Sequence, residues 1–147
     1  MNLQAANASD YPVLLQICAD SVRASHDFLP EARLHALKPL LIDSYFPQVN
    51  LWLWQDAAQQ CLGFIGVAEA NIEMLFVHPQ AQGLGIGKAL LSHAIHQLGA
   101  NHVDVNEQNP KALAFYQHAG FEITARSEQD GQGWPYPLLH MSLPTQV

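Results

Sequence analysis

Residues 82–87 read Gln82-Gly83-Leu84-Gly85-Ile86-Gly87, with three glycines at alternate positions. An apolar run, Ile72 to Val77, precedes them, and an amphipathic run, Lys88 to Leu98, follows. Glycine backbone lets a bulky anion come close, and the first turn of a helix offers N–H groups without intrahelical partners. Strand, glycine loop and helix together predict a diphosphate cradle. A P-loop needs Gly, four residues, then Gly-Lys-Ser/Thr. Here Gln82 stands at the first glycine and Ala89 where the magnesium-binding hydroxyl belongs. A dinucleotide fingerprint needs Gly-x-Gly-x-x-Gly, and its third glycine falls on Lys88 or Leu90. A purely structural turn is the remaining alternative, and it costs conformational entropy with little packing in return.

Other residues near this loop have chemistry to offer. Glu73 lies on the preceding strand, on the same side as Leu75 and Val77 by strand alternation. It is either a proton acceptor or an ordinary exposed carboxylate. His26 falls where a helical pattern breaks, at His26-Asp27-Phe28-Leu29-Pro30. His93 and His96 are three apart on the helix after the loop, which suits a pair of metal ligands. No third ligand is placed by spacing to complete a site, so both read as solvent-facing and no metal is expected.

The elements that must position these residues are legible from period and punctuation. Leu3 to Ala6 suits a short edge strand. Ser9 or Asp10 can cap a first helix with Pro12 in its first turn, and Leu14, Ile17, Cys18 and Val22 recur at helical spacing. Glu31 to Tyr45 is a second helix, which Pro39 should break or kink. Strands follow at Val49 to Gln55, Cys61 to Ala68 and Ile72 to Val77. Val103 to Asn106 is another, and Asn109-Pro110 starts a helix that Gly120 ends. Phe121 to Arg126 and Leu138 to Leu143 are the last strands, joined across Asp130-Gly131-Gln132-Gly133. This order predicts an α/β sandwich with a mixed sheet.

The chain has 147 residues, which argues for one domain, 1–147. Net charge is −7 with only six Lys and Arg, too few to displace the counterions of a nucleic acid. A diphosphate must then be held mainly by backbone N–H groups, and an acidic surface favours a cationic second substrate. No apolar stretch is long enough to span a membrane, and Met1-Asn2-Leu3-Gln4 shows no export signal. Cys18 and Cys61 each lie in an apolar run and read as core residues, so a cytoplasmic protein is expected.

Gln82-x-x-Gly85-x-Gly87 matches the pattern Gln/Arg-x-x-Gly-x-Gly/Ala and resembles motif A of the GNAT acyltransferases. Val77-His78-Pro79 resembles the family's Val-x-Pro lead-in. The run Asn109 to Phe121, Asn-Pro-Lys-Ala-Leu-Ala-Phe-Tyr-Gln-His-Ala-Gly-Phe, is similar to its second signature. Ser21 to Leu29, Val105 to Asn109 and Pro135 to Leu139 are similar to a small bacterial subgroup. The resemblance covers the whole chain. It implies a mixed, splayed β-sheet of about six or seven strands flanked by about four helices, with a pantetheine arm in the gap.

The resemblance also implies roles. Acetyl-CoA is the expected cosubstrate. The N–H groups of Gln82, Gly83, Leu84, Gly85, Ile86, Gly87 and Lys88 would bind its diphosphate. Lys88 or Lys111 would meet the ribose phosphate or face solvent, and Phe76 and Val77 would offer backbone groups to the pantetheine. Asn109 is an N-cap by its position, and the family pattern adds a pantetheine contact. Tyr116 would donate to the departing thiolate, the alternative being a packed aromatic. Glu73 or His26 would serve the proton leaving the amine, with Tyr136 and His140 near the acceptor. An N-acetyltransferase acting on a small-molecule or peptide amine is expected, as a monomer or homodimer. A non-catalytic acyl-CoA-binding module is the alternative.

Overall fold

The computed structural model of the chain describes residues 2–25, 31–131 and 133–144. Its seven strands form one sheet in the order β1-β2-β3-β4-β5-β7-β6. They are β1 (Leu3–Ala5), β2 (Asn50–Gln55), β3 (Cys61–Ala68), β4 (Asn71–Val77), β5 (His102–Asn106), β6 (Glu122–Ser127) and β7 (Leu138–Ser142). The helices are α1 (Tyr11–Ser25), α2 (Glu31–Leu40), α3 (Ile86–Gln97) and α4 (Pro110–His118). The expected mixed sheet and four helices are thus present.

β3 is apolar at nearly every position because both its faces are covered. Phe64 packs under α1, against Leu14, Ile17 and Cys18, while Ile65 and Val67 pack under α3, against Ile86, Leu90 and Ala94. Alternation on β2 follows the same logic: Leu51 and Leu53 face α1, and Trp52 and Trp54 face α3. Gly63 marks where α3 comes closest. A Cβ there would sit 3.0 Å from the Phe76 carbonyl oxygen and 3.1 Å from Ile86 Cγ2.

Three local expectations change. The first turn is capped by Asn7 rather than Ser9 or Asp10. Asn7 Oδ1 accepts from Ser9 N–H at 3.0 Å, and Asp10 reaches back to the Asn7 N–H at 2.9 Å, a capping box. Asp10 is therefore the far end of the box. The second helix does not run on to Tyr45: α2 ends at Leu40, one residue past Pro39, where a break or kink is expected. Pro39 lies in the last turn of α2, and a π-helical turn, Leu41–Tyr45, follows directly. Proline removes the N–H bond to the carbonyl four residues back, and the helix answers by changing pitch. Third, β4 is not regular. The β3 register passes from Gly66↔Met74 to Val67↔Ile72, so Glu73 is an extra residue in a bulge.

All strand pairs are antiparallel except β4 with β5, and α3 supplies the crossover that a parallel pair needs. That pair is brief, holding only Asn71↔His102 and Ile72↔Val103. Beyond it Leu75 to Val77 leave β5, whose other edge stays paired with β7 from His102↔Ser142 to Asn106↔Leu138. The sheet splays there, as expected. Among the described residues no helix is long and apolar enough to cross a membrane.

Candidate active site

The glycine loop turns the chain from β4 into α3. Gly83 and Gly85 have φ of 83° and 82°, in the left-handed region that L side chains avoid. A Cβ at either would meet nothing within 4 Å, so backbone angle rather than crowding selects glycine there. Gly85 is the N-cap of α3 and supplies no side-chain cap. The Ala89 N–H donates to its carbonyl at 3.0 Å, the first bond of the helix. The N–H groups of Ile86, Gly87 and Lys88 thus lack intrahelical acceptors, and the helix dipole adds partial positive charge.

A cavity of about 870 Å³ opens in front of these groups, between β4, the loop, the start of α3 and α4. Leu75, Val77, Ile86, Leu91 and Phe115 give it an apolar wall. Lys88 and Lys111, two of the three lysines of the chain, stand at its border. A diphosphate end and an apolar arm are the two halves of acyl-CoA that such a space suits. Every residue expected to bind the cofactor lines it except Leu84, which is 71% exposed.

Asn109 caps α4, as its position predicts. Its Oδ1 accepts from the Ala112 N–H at 3.2 Å, and Pro110 takes the first helical position. Two turns on, Tyr116 is 7% exposed and lines the cavity. Phe115 and Phe121 meet its ring edge-on at centroid distances of 5.2 and 5.6 Å. Burial pushes its phenol well above the ordinary tyrosine range, so it is a standing hydrogen-bond donor and not a base.

Glu73 does not line the cavity. It is exposed on the bulge, which interrupts the alternation that would have aligned it with Leu75 and Val77. His26 lies outside the described residues. Tyr136 and His140 do not line the cavity either. His140 is held by Asp104 and Ser127, each at 2.6 Å. His93 is a further correction. Its ring lies 4.2 Å from that of Trp52, with Nε2 buried and without a partner, so it packs rather than faces solvent. His96 is exposed as expected, with Nδ1 against the Ser92 carbonyl at 2.9 Å. Among the described residues no cluster of His, Cys, Asp or Glu is arranged for a metal.

One wall residue went unforeseen. Ser21, 4% exposed, donates from Oγ to the Val77 carbonyl at 2.8 Å and fastens α1 to the end of β4. Its signal is a hydroxyl set between the apolar positions Cys18 and Val22, which is faint without the fold.

The sequence profile of the acetyltransferase (GNAT) domain matches residues 34–143. The chain is 36% identical over 144 residues to the peptidyl-lysine N-acetyltransferase YjaB of Salmonella typhimurium, covering 98% of this chain and 99% of that one. Its structure is similar to the solution structure of apo YjaB from Escherichia coli, with a TM-score of 0.85, 34% identity and coverage of 98% and 97%. A PaiA N-acetyltransferase from Thermoplasma acidophilum, solved with coenzyme A, shares the fold with a TM-score of 0.70 at 18% identity, covering 97% of this chain and 99% of that one. Carrying the glycine loop and the splayed sheet within a matching profile, the chain belongs to the GNAT family and is an acyl-CoA-dependent N-acetyltransferase.

Proposed function

We propose that this enzyme acetylates lysine side chains of peptides or proteins, with acetyl-CoA lying in the cavity beside β4. The cavity carries this reading, since it joins an uncapped helix start to the Tyr116 hydroxyl helix along an apolar wall. The diphosphate sits on N–H groups of Gln82, Gly83 and Gly85 to Lys88, and Lys88 or Lys111 neutralises the ribose phosphate. Main-chain groups of Phe76 and Val77, with Asn109, hold the pantetheine. The similarity to YjaB over nearly the full length supports a peptidyl-lysine acceptor. The net charge of −7 favours a cationic one.

A lysine ammonium, with a pKa of about 10.4, must lose a proton before its nitrogen attacks the thioester. The C–N bond forms, the C–S bond breaks, and the CoA thiolate leaves toward the Tyr116 hydroxyl. Glu73, exposed on the β4 bulge and outside the cavity, can take the amine proton only through bridging water, and His26 is the second candidate for that role. The unpaired Cys18 and Cys61 suit a reducing compartment such as the cytoplasm.

The test is CoA release from acetyl-CoA in the presence of lysine-containing peptides, followed by mass spectrometry to locate the acetyl group. An acetylated lysine side chain supports the proposal. Acetylation confined to small amines refutes the peptide acceptor. Turnover of acetyl-CoA with no lysine peptide acetylated refutes it equally.

A further inference from the structure

A second reactive constellation lies in the other half of the sheet. Val103 and Val105 of β5 face the core under α3 and α4, so Asp104 between them faces the opposite side. His140 of β7 is directly across in register, and β6 flanks β7 on its other edge. His140 Nδ1 stands 2.6 Å from Asp104 Oδ1, and its Nε2 stands 2.6 Å from Ser127 Oγ. A carboxylate only accepts, so Nδ1 carries the proton of the neutral ring. Nε2 then presents its lone pair, and the Ser127 hydroxyl donates to it. This is the atom order by which a carboxylate, an imidazole and a hydroxyl make a nucleophile. Three neighbouring strands fix it, as a rigid scaffold should. The His140 side chain is one-third exposed and Asp104 more so, leaving the group open to small reagents. None of the three lines the acyl-CoA cavity.

We propose that Ser127 is an activated nucleophile that accepts acyl groups from small activated esters, with His140 as its base and Asp104 as a positioning residue. Ser127 Oγ bonds to the acyl carbon while the ester C–O bond breaks. The hydroxyl proton passes to His140 Nε2 and on to the departing alkoxide or phenolate. Water then attacks the acyl-serine, giving one proton through His140 back to Ser127 Oγ, and the free acid leaves.

The probe is p-nitrophenyl acetate with the intact enzyme. A burst of p-nitrophenolate and an acetyl group mapped to Ser127 are expected. Ser127→Ala should abolish both while leaving acetyl-CoA affinity unchanged. Asp104→Asn keeps the side-chain shape but no longer enforces the tautomer. It should slow the burst at least about 100-fold, because His140 in the wrong tautomer can no longer act as the base, and alter its pH profile. A purely structural role would move neither. Equal bursts from the parent and Ser127→Ala, or acetylation only at other residues, would overturn the proposal.

Discussion

Replacing Tyr116 with Phe isolates one hydroxyl. The ring contacts with Phe115 and Phe121, at 5.2 and 5.6 Å, survive the change, so folding should lose little. What goes is a hydrogen bond to the sulfur as it gains negative charge. A hydrogen bond to a charged group contributes about 1.5–3 kcal/mol. Tyr116 is almost wholly buried, and low local dielectric pushes the figure toward the upper end. At about 1.4 kcal/mol per factor of ten, kcat should fall about 10- to 150-fold. The charge exists only in the transition state, so kcat and kcat/KM should fall together with KM for acetyl-CoA unchanged. Burial raises the phenol above its ordinary value of about 10, so Tyr116 adds no alkaline limb to the rate profile below that pH. Single-turnover kinetics with a lysine peptide, beside a thermal melt, read all of this. A chemical step within twofold of the parent refutes the donor role. A raised KM at constant kcat would make Tyr116 a binding residue instead.

Gly85→Ala puts a side chain at φ 82°, which costs about 1–2 kcal/mol and lowers Tm by about 2–8 °C, with weaker acetyl-CoA binding by calorimetry. Gly63→Ala sets a Cβ 3.0 Å from a main-chain oxygen, so urea unfolding should show a loss of about 1–3 kcal/mol. Burial pushes the Cys18 thiol up to about 12, so at pH 8 a disulfide reagent should label Cys61 first and Cys18 only on unfolding. A raised folded-state pKa gives stability that is full below the unfolded value and fades as pH rises through the folded one. Cys18 should therefore make stability decline above about pH 8.5 by up to about 1.4 kcal/mol per pH unit, and Cys18→Ala should remove that share while leaving the part due to Cys61 and Tyr116, also raised by burial.

The donor half of the site is legible in the sequence because its chemistry is done by backbone. Glycines at 83 and 85 report a left-handed turn, and Asn109-Pro110 reports a helix start, each over a few adjacent residues. Tyr116 is reachable only through the resemblance of Asn109 to Phe121 to the family's second signature, since helical period alone makes it a packed aromatic. Glu73 misleads for a definite reason: alternation predicts a side only while a strand is regular, and the bulge is a property of β4 against β3. His93 misleads likewise, since its partner Trp52 lies 41 residues away on β2. The order β5-β7-β6 and the Ser21 contact with Val77 are also long-range facts, the second marked locally only by a hydroxyl between apolar positions.

The placement of β7 has a consequence for how the chain folds. β7 is made after both β5 and β6, yet it pairs with each and lies between them. Until it arrives β5 has only its two register pairs with β4, and β6 has no partner strand. Half of the sheet therefore waits for a late segment, and such non-local closure is slow. In the interval, unpaired strand edges are exposed to other chains, which makes this stage the one most open to aggregation.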